Sequence, residues 1–281
     1  MVSYANIVYP TEQGKGIEGP NRLLLDTLHG KMTGPFSALE ASELLLLDLS
    51  NTRRRLSYLA ARGWLSRVRQ GLYTLVPLGA TSPSMWREDP WVAAAKTFVP
   101  GYIGGWSACE HWGLTEQIFR DVVVITAATV RCKLVTIQDT IFRVKHVADT
   151  KIFGTRIVWR GQTKVQVSDP SRTIIDVLND PSLGGGIRHV AEIVETYFAS
   201  DDRDDAVIIT YAIRLGNRTV FKRLGFLIEE LRIDAADLMT QCLALKSNGL
   251  SLLDPSGSRN GRIIKRWELR VNARIAARHP S

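Results

Sequence analysis

The stretch SNTRRRLSYLAARGWLSRVRQGLYTLVPLG, residues 50–79, constrains the fold more than any other. It holds Arg53, Arg54, Arg55, Arg62, Arg67 and Arg69 in one run with no Asp or Glu. Guanidiniums crowded in this way repel one another. The run reads either as a solvated basic face on a helical bundle or as a folded surface for an anionic partner. The absence of acids and the agreement of helix and hairpin favour the second reading. The scaffold is written into the same residues. At about 3.6 residues per turn, Thr52, Leu56, Leu59 and Ala60 form one stripe of a helix over 51–62. Arg54 and Tyr58 lie nearly opposite that stripe, with Asn51 close by. Arg55 and Arg62 fall on one flank and Arg53 on the other.

After Gly63, WLSRVRQGLYTLV reads as a β-hairpin turning at Gln70–Gly71. Pairing across that turn sets Arg69 opposite Leu72, Arg67 opposite Thr74 and Val68 opposite Tyr73. Arg67 and Arg69 then share one face, and Val68 and Tyr73 anchor the other. Upstream, a helix starts near Pro20–Asn21, carries Leu23, Leu24, Leu25 and Leu28, and stops before Gly30. A second starts at SALE, where Ser37 and Glu40 have capping-box spacing, with an apolar face of Leu39, Leu44, Leu45 and Leu47. Asp48, Leu49 and Ser50 read as the turn into the arginine helix. Three helices and a hairpin in about 60 residues is a winged helix-turn-helix plan.

The expected organisation is a loose arm over 1–19, the winged helix-turn-helix over 20–80, a linker over 81–90 within the Pro-, Gly- and Ser-rich stretch 77–90, and a larger mixed α/β domain over 91–281. The fold class is therefore α+β. In the larger part DVVVITA, TIFRVKHV, TRIVWR and KVQVS read as strands, and DPWVAAAKTF and WSACEHWG as helices. A helical run follows Asp169. RIIKRWELRVNARI reads as a single strand, with Trp267, Leu269, Val271 and Ile275 on one face and Arg266, Glu268, Arg270 and Arg274 on the other.

The net charge of +8 draws the chain to polyanions. A membrane surface is the weaker partner, because no large exposed apolar face accompanies the charge. No apolar run is long enough to span a bilayer, and MVSYANIVYPTEQGKG lacks the features of a signal peptide. Cys109, Cys132 and Cys242 have neither zinc spacing nor a disulfide framework, so each reads as a small buried hydrophobe in a reduced, cytoplasmic protein.

Motifs for catalysis are absent: no Walker A loop, no HExxH, no GxSxG. Cys109 and His111 are near neighbours without a third partner. LGGGIRH, residues 183–189, reads as a flexible turn between helices rather than an anion cradle. In SDPSRTIID, residues 168–176, Ser168 or Asp169 caps a helix, Pro170 fits its first turn, and Arg172 pairs with Asp176. No catalytic residue, metal ligand or cofactor is expected. A second basic segment carries Arg259, Arg262, Lys265, Arg266, Arg270, Arg274 and Arg278 against Glu268 alone. It reads equally as a polyanion surface or as a solvated sheet face beside a dimer contact.

Four blocks in order, LAARGWLSRVRQGLYTLVPLG, GYIGGWSACEHWGLTEQ, VSDPSRTIIDVLNDPSLGGGI and LLDPSGSRNGRIIKRWELRVN, resemble the AbiEi-type antitoxins of bacterial type IV toxin–antitoxin systems. The resemblance spans roughly residues 20–275. It implies a transcriptional autorepressor that binds inverted repeats in its own promoter. It also implies a larger domain that counters a co-encoded nucleotidyltransferase toxin without a stable complex.

The expected DNA-facing set is Asn51, Arg53, Arg54, Arg55, Tyr58, Arg62, Arg67, Arg69 and Gln70, and the expected partner is double-stranded operator DNA bound by a homodimer. Two other readings stay open. One is a stand-alone winged-helix transcription factor with a ligand-sensing C-terminal domain. The other is an enzyme acting on nucleic acid or on the toxin.

Overall fold

The computed structural model describes residues 19–77, 79, 80, 82 and 85–275. The arm over 1–18, Arg278 and three positions of the 81–90 stretch lie outside them. The fold is mixed α+β. The chain divides into two compact units, Met1–Arg67 with Gly71–Met85, and Trp86–Ser281 with Val68–Gln70. No helix among the described residues is long and apolar enough to cross a membrane.

In the first unit, α1 (Gly19–Lys31) runs through Gly30 instead of stopping before it. A glycine in the last turn costs at most about 1 kcal/mol, and the apolar stripe of Leu24, Leu25 and Leu28 holds the helix to the core. Strand β1 (Phe36–Ser37) leads into α2 (Ala38–Leu45). Ser37 caps α2 in a full capping box: its hydroxyl accepts from the Glu40 amide at 3.2 Å, and the Glu40 carboxylate accepts from the Ser37 amide at 2.7 Å. Three of the four expected leucines, Leu44, Leu45 and Leu47, pack partly buried against the core, beside the buried Ala38 and Ala41, while Leu39 is exposed and Leu47 lies beyond the helix. Leu46, with φ of 53°, ends it.

Asp48 is not part of a free turn. It caps α3 (Leu49–Ala61), accepting from the Asn51 amide at 2.8 Å. Thr52, Leu56 and Leu59 bury one face of α3, and the partly covered Ala60 packs against the same core.

A three-stranded sheet of order β1-β3-β2 completes this unit, with β2 at Leu65–Arg69 and β3 at Leu72–Leu75. The hairpin register departs from the sequence expectation. Leu65 and Tyr73 pack in the same core as α3, and the Arg67 guanidinium lies 5.6 Å from the Tyr73 ring centre. Leu65 and Arg67 share a strand face, so Tyr73 sits on their side and Val68 on the other. Gly71 explains the one-residue slip. Its φ of 76° suits a bulged turn, and a slip of one residue reverses every side chain of a strand.

The second unit is built on a six-stranded mixed sheet of order β6-β7-β5-β4-β9-β8. Its strands are β4 (Gly101–Ile103), β5 (Val122–Thr126), β6 (Leu134–Ile137), β7 (Thr140–His146), β8 (Thr155–Arg160) and β9 (Thr163–Ser168). Short strands β4 and β6 escaped the sequence reading because neither has enough residues to show a period. Helices α4 (Pro90–Thr97) and α5 (Gly105–His111) precede and follow β4. Helices α6 (Pro170–Asn179), α7 (Ile187–Phe198), α8 (Asp205–Leu215), α9 (Thr219–Glu230) and α10 (Ala236–Leu245) form the largest core, with Ile174, Val190, Phe221 and Leu224 buried in it.

A small sheet ends the described chain, in order β10-β12-β11. The stretch expected as one strand is two: β11 (Arg262–Ile264) and β12 (Leu269–Val271) pair antiparallel, and β10 (Ser251–Leu252) pairs parallel with β12. Lys265–Glu268 form the turn, with Glu268 at φ 48°. Burial of Trp267 explains the reversal. Its ring lies flat against α9, where a Cβ on Gly225 would come within 2.1 Å of it. Gly225→Ala is therefore expected to lose about 1–3 kcal/mol through overpacking, read as a lowered midpoint in urea unfolding at unchanged slope.

Candidate nucleic-acid interface

The arginine run sits on a well-anchored frame. The Asp48 cap fixes the first turn of α3, and Thr52, Leu56 and Leu59 lock its inner face. Arg53, Arg54, Tyr58 and Arg62 are exposed on α3 or just past its end, and Asn51 and Arg55 are half-buried. Arg67, Arg69 and Gln70 are exposed on β2 and its turn.

Asn51 organises two of the arginines. Its Oδ1 accepts from Arg54 Nη2 at 3.3 Å and from Arg55 Nε at 3.2 Å. The amide thus holds two like charges side by side, which costs Coulomb energy unless an anion approaches. Arg62 stacks on Tyr58, with its Cζ 5.4 Å from the ring centre. Arg67 donates to Ser57 Oγ at 3.4 Å, and that hydroxyl meets the Tyr73 hydroxyl at 3.3 Å. So α3 and β2 are linked through Ser57, Tyr73 and Arg67.

The charge is not neutralised internally. Arg53, Arg54, Arg55, Arg62 and Arg69 make no ion pair among the described residues. Residues 19–77 hold eight Lys and Arg against four carboxylates, and the last carboxylate, Asp48, is spent as a helix cap. Guanidiniums in this array can fork to phosphate oxygens or to guanine edges. Asn51→Ala is expected to leave the helix folded while releasing Arg54 and Arg55. The check is affinity for a DNA duplex falling by about tenfold, in line with a loss of 1–3 kcal/mol.

The second basic segment is dispersed. Arg259, Arg262, Lys265, Arg266 and Arg274 are exposed, and Arg270 is half-buried. Arg262 pairs in register with Val271, and Ile263 with Arg270, so Arg262 and Arg270 point to opposite faces of the sheet. Arg266 is bound to Glu229 at 2.8 Å, and Glu268 pairs with Lys246. This separates the group that one continuous strand would have kept on a single face.

The other motifs are held by structural contacts. Asp169 caps α6, accepting from the Arg172 amide at 2.8 Å. Arg172 Nε donates to Asp176 Oδ1 at 3.0 Å, with both side chains buried. Tyr102 hydroxyl donates to Asp176 Oδ2 at 2.9 Å, and Arg172 Nη2 donates to the Tyr102 hydroxyl at 2.8 Å and to the Lys151 carbonyl at 3.1 Å. Burial pushes the Asp176 carboxyl and the Tyr102 phenol up from their ordinary values.

In LGGGIRH, the α7 N-terminus already meets a carboxylate: Asp254 Oδ2 accepts from the Ile187 amide at 3.4 Å. His189 bridges Thr115 Oγ1 and the Gly184 carbonyl, both at 2.7 Å. Cys109 is fully buried, and burial pushes its thiol far up, which suppresses the thiolate a nucleophile needs. His111 lies between the Trp91 and Trp112 rings. Cys242 is also buried, but Cys132 is exposed, against the expectation for all three cysteines. It lies in the segment before β6, an edge strand that covers little. Among the described residues, no group of three or more His, Cys, Asp or Glu could hold a metal ion.

Asp176→Asn is expected to destabilise strongly, by about 3–5 kcal/mol, because Arg172 would keep its burial and lose its counter-charge. Denaturant unfolding checks it. No family model matches the chain, and a comparison with curated proteins found no match.

Proposed function

We propose that this chain is a DNA-binding autorepressor and antitoxin whose first unit works as a winged helix-turn-helix. The observation that carries the reading is the set of five arginines without ion pairs on α3 and its hairpin. In this reading α3 enters the major groove. Arg54, Arg53 and Asn51 reach base edges, and the β2–β3 hairpin lays Arg67 and Arg69 along the adjacent backbone. One such module covers a short half-site, so two copies bind an inverted repeat, with half-sites a helical turn or a multiple apart. The larger unit counters a co-encoded nucleotidyltransferase toxin in the cytoplasm, without a stable complex. This part rests on the resemblance of the four sequence blocks.

The test separates base reading from phosphate contact. Arg54→Ala should weaken binding to DNA from the chain's own promoter by about 1–3 kcal/mol and relax base preference. Arg67→Ala should weaken binding evenly across sequences and flatten its salt dependence by about one unit of slope. Unchanged affinity in both folded variants would remove this surface from consideration. A chain with Arg53, Arg54, Arg55, Arg67 and Arg69 all changed to Ala should lose repression. Expressed from a foreign promoter, it should still restore growth against the neighbouring toxin.

A second reading, a transcription factor with a ligand-sensing domain, is favoured by one observation: an apolar cavity of about 320 Å³ in the larger unit. Growth rescue by the five-fold variant supports the antitoxin reading. Its absence, together with promoter binding that responds to a small molecule, supports the second.

A further inference from the structure

The cavity lies beside β4 and β9 of the central sheet of the second unit. β4 pairs with β5 over Gly101, Tyr102 and Ile103, but its register with β9 is a single pair among the described residues, Ile103 with Val167. Residues of β4 and β9 line a space beside that pair, with Ala94, Ala95 and Phe98 from α4 and its end. That space measures about 320 Å³, within the range of small-molecule sites. Most of its lining is apolar, so an apolar guest would remove that surface from water.

The walls differ from the mouth. Phe98, Tyr102, Ile103, Val124 and Val165 are buried. The Tyr102 hydroxyl is already committed to Asp176 and Arg172, so it offers the cavity a ring rather than a polar group. Lys164 and Gln166, alternate residues of β9, are exposed at the lining, and Thr155 of β8 joins them. Among the described residues, Lys164 is the one ammonium or guanidinium lining the space. Its Nζ rests 5.1 Å from the Trp159 ring centre and meets no carboxylate among the described residues.

From this geometry we infer that the second unit has a binding site for a small amphipathic carboxylate. Its hydrocarbon body fills the space between β4, β9 and α4. Its carboxylate sits at the mouth, accepting from the Lys164 ammonium and the Gln166 amide. A volume in the range of small-molecule sites suits a medium-chain acid. An exposed ammonium at the mouth of an apolar pocket selects an anionic head over a neutral one, because only the charged pair gains a charge-assisted hydrogen bond. The site lies wholly within the second unit and does not depend on how the first unit meets DNA.

Calorimetric titration of the full chain tests it with octanoate, octanol and acetate as probes. Octanoate should bind one per chain, with a dissociation constant below about 1 mM for a ligand of this size. Octanol should bind at least about tenfold more weakly, and acetate should give no saturable heat. Lys164→Gln alters an exposed side chain and should stay folded by circular dichroism. It should lower octanoate affinity about tenfold while leaving octanol unchanged, and Lys164→Arg should restore octanoate binding. Failure of octanoate to bind, equal binding of octanoate and octanol, or an octanoate affinity indifferent to Lys164→Gln would each overturn the proposal.

Discussion

A buried guanidinium ties the sheet of the larger unit to its helices. Arg172 leaves the first turn of α6, pairs with Asp176 one turn on, and reaches the Tyr102 hydroxyl in β4 and the Lys151 carbonyl before β8. Its Cζ also lies 4.0 Å from the Phe153 ring centre, and Arg214 packs on the same ring. Burying such a charge is expensive, and only a near-complete shell of partners makes it tolerable. Those partners come from separate parts of the chain, so the network is satisfied in one arrangement of the elements. Arg223 does similar work at the far end of α6. It donates to the Leu178 and Asn179 carbonyls that end the helix, and to the Leu252 and Leu253 carbonyls of the small sheet. Both ends of one helix are thus held by arginines that use their charge internally.

The arginines of α3 and its hairpin are the counterpart. They share the chemistry of Arg172 and Arg223, but Arg53, Arg54, Arg55, Arg62 and Arg69 make no ion pair among the described residues, and all of them except the half-buried Arg55 are exposed. Arg172 and Arg223 meet acceptors within the larger unit, whereas those five have no carboxylate partner among the described residues, so their charge lies where an external anion can meet it. The neighbouring groups fit that use. Asn51 holds Arg54 and Arg55, Tyr58 supports Arg62, and Tyr73 supports Arg67. Each contact limits side-chain freedom before a partner arrives, which lowers the entropic cost of binding.

Where information is local, the residues alone settled the outcome. The Ser37–Glu40 capping box, the Asp169 cap with Pro170 behind it, the Arg172–Asp176 pair and the buried stripe of α3 were all legible, because each depends on residues within about one helical turn. The arginine-rich surface was legible for the same reason: a helix stripe and its opposite face follow from spacing. What spacing left open is non-local. A slip of one residue at Gly71 moved Tyr73 from the side of Val68 to that of Arg67, and a local pattern of alternation fits both registers.

The end of the chain shows the same limit. Residues 262–275 alternate well enough for a continuous strand, yet Trp267 is drawn under α9 by a glycine about 40 residues earlier, and the strand folds back on itself. That reversal divided the second basic segment between opposite faces and turns. The cavity was invisible for a further reason: its walls come from β4 and β9, which pair Ile103 with Val167 from distant parts of the chain. The sequence by itself therefore determined the helices, their caps and the charge they carry, because those follow from short-range periodicity and hydrogen bonding. Tertiary structure alone decided strand register, which guanidiniums are buried and paired, and where a pocket opens, because these depend on packing between distant segments.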